Sequence, residues 1–243
     1  AADLTESNLT KSINQKVFNK KNPKGTYLYY GIREHAMVSA MSGMFLHGGI
    51  VPYGGSFLIF TDYCRPAIRL ASFMKIKAIY VMTHDSIGLG EDGPTHQPIE
   101  QLASLRAIPN LNVLRPADAI ETFECWEVAL KLNNPSIISL TRQNIPIIRK
   151  LENSKNLSNN GGYIIYQTKK NNRDITILAT GSEVSIALET KNILEKKSYN
   201  VTVVSIPCWE IFDKKNNDYK NKVLGPIDKR IAIEAASKFG WTK

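Results

Sequence analysis

Thr83-His84-Asp85-Ser86-Ile87-Gly88-Leu89-Gly90-Glu91-Asp92-Gly93-Pro94-Thr95-His96-Gln97-Pro98 lies between an apolar run, Lys77 to Met82, and an amphipathic one, Pro98 to Ala107. The run before it is short, apolar and partly β-branched, which predicts a buried strand. The segment after it predicts a helix, with Pro98 tolerated in the first turn. The loop holds two of the four histidines, together with Asp85, Glu91, Asp92 and three glycines. A polar, glycine-rich loop leaving a buried strand is where α/β proteins place binding groups. Position marks a site here; it does not name the chemistry.

Working outward, Thr26 to Ile32 predicts an aromatic strand. Arg33 to Leu46 then carries Met37, Ala40, Met41, Met44 and Phe45 at helical spacing, and Gly48-Gly49 stops it. Glu34 and His35 therefore sit at a helix N-terminus, where the dipole favours a carboxylate. A capping role and a functional role for Glu34 both remain open on this ground. Ile50 to Tyr53 reads as a short strand and Ser56 to Met74 as a helix, with Phe57, Phe60, Tyr63 and Cys64 near one face. Aromatics at that spacing are usually core, but Gly54-Gly55 just before them admits close approach of a ligand.

Leu111 to Leu114 is a further strand, Asp118 with Glu121 a capping-box-like start, and Ser136 to Thr141 a strand ending at Arg142-Gln143-Asn144. Alternating strands and helices predict an α/β fold with a parallel sheet covered on both faces. The predicted organisation is a first domain over 1–148, a polar linker over 149–162 and a second α/β domain over 163–243. In the second, Asp174 to Ala179, Val201 to Ile206 and Arg230 to Glu234 read as strands, a helix runs from the Thr180-Gly181-Ser182-Glu183 turn to about Lys197, and Cys208 to Gly225 reads as loop-rich. That series stops as its next helix is due, so the chain reads as cut at both ends.

The net charge of +9 and pI near 9.4 raise a nucleic-acid reading. Much of the lysine, however, falls in asparagine-rich connectors, without a Lys/Arg stripe interleaved with aromatics. Solvated surface, with some attraction for anionic small substrates, is the better reading, and no nucleic-acid partner is expected. No apolar run approaches a membrane span, no signal-peptide pattern opens the chain, and Cys64, Cys125 and Cys208 have no metal-type spacing. A cytoplasmic, reducing compartment is expected. His84, Asp85, Glu91, Asp92 and His96 match neither a helical zinc site nor an EF-hand, so no metal ligands are expected in this chain. Gly88-x-Gly90-x-x-Gly93 spells a dinucleotide motif but runs into Pro94 without an immediate helix, which argues against one.

Several motifs, in order, carry a resemblance: Asp3-Leu4-Thr5-x-Ser7-Asn8-Leu9-Thr10, Tyr30-Gly31-Ile32-Arg33-Glu34-His35-Ala36-Met37, Pro52-Tyr53-Gly54-Gly55-x-Phe57, Thr83 to Pro98, Arg115-Pro116-Ala117-Asp118, Arg142-Gln143-Asn144 and Ala179-Thr180-Gly181-Ser182-Glu183-Val184. Together they span nearly the whole chain and resemble transketolase. Deoxyxylulose-phosphate synthases share the Asp92-Gly93-Pro94-Thr95-His96 core but not usually the rest of the loop, and dihydroxyacetone synthase is a close relative that the motifs exclude less firmly. A non-catalytic binding module is the rival from another class.

The resemblance implies a pyrimidine-binding domain followed by the start of a C-terminal domain. It implies thiamine diphosphate as cofactor, with a divalent cation (Mg or Ca) held by an N-terminal domain that this sequence lacks. It also implies a homodimer whose active site is shared between subunits, sugar phosphates of the pentose phosphate pathway as substrates, and an isolated chain without transferase activity. Glu34 resembles the glutamate that hydrogen-bonds ring nitrogen N1′ of the aminopyrimidine, a role that a partly buried carboxyl with a raised pKa suits. Phe57, Phe60 and Tyr63 resemble the aromatic pocket around that ring, with Asp3 and Leu4 near the cofactor. His96 resembles a histidine facing the reacting carbonyl and hydroxyl groups, and Asp92 a carboxylate holding a sugar hydroxyl. Ser7, His84 and Arg142 resemble part of a substrate-phosphate site.

Overall fold

The computed structural model describes residues 1–2, 4–149, 155–168 and 173–242. Its contacts divide the chain into two compact units, one of residues 1–111 with 132–142 and the other of 112–131 with 143–243.

In the first unit the elements are α1 (Thr5–Asn8), α2 (Glu34–His47), β1 (Tyr53–Phe57), a 3-10 turn (Leu58–Phe60), α3 (Thr61–Phe73), β2 (Ile79–Thr83), a second 3-10 turn (Ile87–Leu89), α4 (Gln101–Arg106) and, after an excursion into the second unit, β4 (Ser136–Ser139). All five β2 residues are buried, as a strand covered on both faces requires. β1 and β4 flank it, both parallel, with Tyr53 opposite Ile79 and Ser136 opposite Ile79 on the other side. The β1 register ends with Phe57 opposite Thr83, so the residues after both strands emerge at one edge. The sequence places the helix too early here: Phe57 ends a strand, Phe60 lies in the 3-10 turn, and only Tyr63 belongs to α3. The reason is Gly54-Gly55, which extends β1 where closer packing is needed. A Cβ on Gly54 would stand 2.6 Å from Met41 Sδ, and one on Gly55 would stand 2.5 Å from Thr10 Cγ2 and 3.1 Å from the Val81 carbonyl oxygen.

The predicted strand over 26–32 is not formed; Tyr27 makes one isolated bridge to Val17. Its backbone is used otherwise, with Tyr27 N donating to Lys16 O at 3.1 Å and Tyr30 N to Ala1 O at 3.0 Å. In α2, Met37, Val38 and Met41 are buried with Glu34, and Gly48 at φ 91° ends the helix.

The second unit contains β3 (Asn112–Leu114), α5 (Ala119–Lys131), β5 (Tyr163–Gln167), β6 (Ile175–Ala179), α6 (Glu183–Lys196), β7 (Val201–Ser205), α7 (Trp209–Phe212), α8 (Asn217–Leu224) and β8 (Arg230–Ile233). Its sheet runs in the order β5-β7-β6-β8 and is mixed, because β5 pairs antiparallel with β7. Tyr163–Gln167 escapes a sequence reading because it directly follows the polar linker, and its partner lies about forty residues later. The stretch read as loop-rich, Cys208 to Gly225, holds α7 and α8; Asn216 caps the latter, accepting from Tyr219 N at 2.8 Å.

Two sequence motifs meet inside this unit. Arg115 is fully buried, donates to Thr180 O at 3.1 Å and Thr180 Oγ1 at 2.9 Å, and pairs with Glu183. Gly181, at φ 56°, leaves the room: a Cβ there would lie 2.7 Å from Arg115 Cζ. The start of α5 is capped as expected, with Glu121 N donating to Asp118 Oδ1, while Glu121 Oε2 reaches one residue past the cap to accept from Ala117 N, each at 2.8 Å. The other Glu121 oxygen accepts from Tyr163 and Ser205.

Burial raises the Glu121 carboxyl above its ordinary 4.5, against the opposing pull of those donors. The folded state therefore holds this proton more tightly than the unfolded one, and stability falls as pH rises from 4.5 through the raised native value. Glu121→Gln should flatten that part of the urea-derived stability profile; an unchanged slope would contradict it. In the first unit, Gly55→Ala should cost about 1–3 kcal/mol in urea unfolding through overpacking against Thr10 and Val81.

Candidate active site

The site forms at the edge where β1 and β2 end together. His84 follows β2 directly and takes a left-handed backbone at φ 58°, which turns its ring back over the sheet edge. The ring stacks on Phe57 with centroids 3.6 Å apart and planes 22° apart. From Phe57 the aromatic shelf continues to Phe60, at 5.9 Å and nearly coplanar in orientation (4°), and on to Tyr63 at 5.7 Å. Strand end, 3-10 turn and first helical turn thus present three rings in one stack, although no single helix face carries them. Phe57 is 4% exposed and Tyr63 66%, so the shelf runs from core to surface.

His96 stands edge-on to this shelf, 5.4 Å from Phe60 and 6.4 Å from Phe57. Its Nδ1 is hydrogen-bonded to Thr95 Oγ1 at 2.9 Å, as His84 Nδ1 is to Thr83 Oγ1 at 2.9 Å. Each contact leaves Nε2 to point elsewhere. Glu34 opens α2 and is buried at 6% exposure; among the described residues its one hydrogen-bond partner is Ser56 Oγ, at a long 3.4 Å. Cys64 lies within its field: burial and the Glu34 charge push that thiol up to about 12, so it is inert as a nucleophile.

Arg142 and Asp92 are exposed, and Arg142 makes a loose 3.4 Å pair with Glu91. Such a pair is worth little and yields readily to a better anion. The charges of Arg142, Asp92, Glu91 and His96 all act on His84. Ser7 is exposed on α1, without a hydrogen bond to His84 or Arg142, and Leu4 is half-buried before that helix. Asp3 lies outside the described residues. The shelf, His84, His96 and Glu34 beside Ser56 are therefore gathered at one edge, while Ser7 is not joined to them by any contact. Sequence reading missed Ser56, whose only signal was its place after Gly54-Gly55, and Glu91, which partners Arg142. Among the described residues no three His, Cys, Asp or Glu side chains converge as a metal site.

A buried carboxylate and an aromatic shelf at the carboxyl edge of a parallel sheet fit a flat aminopyrimidine, with an acid for a ring nitrogen and rings for its face. These are features of the thiamine-diphosphate enzyme type. Comparison with known proteins gives the same class. Residues 1–147 match the transketolase pyrimidine-binding domain model, and residues 161–243 the transketolase-like C-terminal domain model. A transketolase of Sinorhizobium medicae is 55% identical over the whole chain, and one of Aquifex aeolicus 49%. The transketolase structure from Leishmania mexicana superposes with a TM-score of 0.92 at 42% identity, covering 99% of this chain and 36% of that one. A Pichia stipitis transketolase complex with sedoheptulose 7-phosphate gives 0.90 at 43% identity over the same shares. The chain belongs to the transketolase family. It spans about a third of the length of these relatives, 35% of the Sinorhizobium protein.

Burial first, and then the Arg142 charge, hold the His84 imidazole below its ordinary 6.5. The unfolded chain takes up this proton first, so stability is lost as pH falls through 6.5 toward the native value. An NMR titration should place His84 below 6.5. His84→Asn, which tolerates the left-handed backbone, should reduce the acid loss of stability. A His84 midpoint at or above 6.5 would contradict the assignment.

Proposed function

We propose that this chain supplies the pyrimidine-facing wall of a thiamine-diphosphate site in an enzyme that transfers a two-carbon ketol unit from a ketose phosphate to an aldose phosphate. The observation that carries the reading is the buried Glu34 carboxylate, which among the described residues has a long contact to Ser56, the residue that precedes Phe57 of the Phe57–Phe60–Tyr63 shelf. A 46–55% identity to proteins named transketolase across the whole chain supports it. Residues 1–148 are read as the pyrimidine-binding domain, 149–162 as a linker and 163–243 as part of a C-terminal domain.

When bound, thiamine diphosphate would supply a thiazolium ring that acts as an electron sink for negative charge on the substrate carbon. The residues of this chain do the rest of the work on its side. Glu34 hydrogen-bonds ring nitrogen N1′, and the shelf holds the pyrimidine and keeps water away. His96 holds or moves a proton at the substrate oxygens through its Nε2, since Nδ1 is engaged by Thr95, and Asp92 accepts from a sugar hydroxyl. Arg142 releases Glu91 and forks onto the substrate phosphate, which a neutral His84 also meets as a donor; Ser7 is assigned to the same phosphate site.

Asp3 and Leu4 are assigned near the cofactor. The diphosphate and its divalent cation, Mg or Ca, belong to a domain outside this sequence, contributed across a homodimer. Pentose phosphate metabolism in the cytoplasm is the setting that these substrates imply.

In the full-length enzyme loaded with cofactor and cation, Glu34→Ala should lower turnover by at least the roughly 100- to 10,000-fold typical of acid–base groups. Its near-UV circular dichroism should stay native. Near-normal turnover would overturn the Glu34 role. Arg142→Ala should raise KM for phosphorylated sugars by roughly tenfold or more, as loss of a charge-assisted hydrogen bond does. An unchanged KM would remove Arg142 from the phosphate site.

A further inference from the structure

Gln101, the first residue of α4, is polar yet only 1% exposed. Both ends of its amide are engaged. Nε2 donates to Asp62 Oδ2 at 2.8 Å, and Oε1 accepts from Ile99 N at 3.0 Å. Asp62 is fixed in turn, its other oxygen pairing with Arg65 at 2.6 Å. Asp62 precedes Tyr63 of the aromatic shelf, and Ile99 follows His96 by three residues. A single buried amide therefore ties α3, which carries Tyr63 at the outer end of the shelf, to the arm that carries the histidine.

At its start the arm is anchored by the His84–Phe57 stack and by buried Asp85, Ser86 and Leu89, but its stretch around His96 is irregular. Between β2 and α4 its only regular structure is the 3-10 turn at Ile87–Leu89, and Gly90 and Gly93 adopt positive φ with open space around them. Gln97 closes the loop on itself, donating to Ile87 O at 3.2 Å, but does not attach it to α3. We infer that Gln101 is a positioning residue that holds His96 against the shelf, at the 5.4 Å edge-on approach to Phe60. This inference rests on the reading of His96 as the proton-handling histidine.

The test uses the full-length enzyme with thiamine diphosphate, a divalent cation and a ketose phosphate donor. Gln101→Met keeps the volume and removes both hydrogen bonds. It should lower kcat about tenfold, toward the hundredfold that an ångström of misplacement can cost, while the Kd for thiamine diphosphate stays within about twofold. Made on top of His96→Asn, the same change should cost almost nothing further, because its effect passes through His96. Gln101→Glu sets two carboxylates face to face and should also lose activity. Adding Asp62→Asn to Gln101→Glu reverses the donor and acceptor and should recover most of it, which guards against a simple folding defect. An active wild type with unchanged kcat in Gln101→Met, an equal loss with or without His96, or no recovery in the swapped pair would overturn the positioning role. An inactive wild type would overturn the functional reading itself.

Discussion

The parallel pairing of β1 with β2, in a register that ends with Phe57 opposite Thr83, is the constraint on which the site depends. Because both strands stop at one edge, the ring ending β1 and the histidine following β2 are brought to a 3.6 Å stack. A one-residue slip would send both side chains to opposite faces and dismantle the shelf. Gly54 and Gly55 protect that register, since any side chain there would strike Met41, Thr10 or the neighbouring strand. The glycines matter less as flexible points than as positions where three layers come close.

Around this edge the groups differ in how firmly they are held. Glu34 and His84 are buried, and their environment is set before any ligand arrives. Arg142 and Asp92 are exposed, and Arg142 pairs loosely with Glu91, as suits groups that must exchange water or Glu91 for a phosphorylated substrate. The division matches the proposed roles for Glu34, preorganised on the cofactor side, and for Arg142 and Asp92, adaptable on the substrate side, while His84, assigned to the phosphate, is held as firmly as Glu34. The second unit shows preorganisation of another kind, with buried Arg115 hydrogen-bonded to Thr180 and ion-paired with Glu183.

Much of this was legible in the sequence. The buried strand before His84, the α2 stripe starting at Glu34 and the Asp118–Glu121 cap are local patterns, and local patterns read well. The aromatic shelf was legible as a set of residues but not as a shape. Phe57, Phe60 and Tyr63 stack across three different elements, because Gly54-Gly55 prolongs a strand that helical spacing had seemed to end. The strand predicted over 26–32 failed because aromatic composition does not supply a pairing partner. β5 was missed because its partner, β7, is far along the chain. The amide of Gln101 was invisible for the same reason: its partner Asp62 is 39 residues away.

The central claim is that Glu34 and the shelf enclose an aminopyrimidine. The most direct measurement is the crystal structure of the full-length enzyme with thiamine diphosphate, read for the distance from a Glu34 carboxylate oxygen to pyrimidine N1′. The account predicts hydrogen-bond range, about 2.6–3.2 Å, with the ring lying against the Phe57–Phe60–Tyr63 shelf. A pyrimidine out of reach of Glu34, or bound away from those rings, would contradict it.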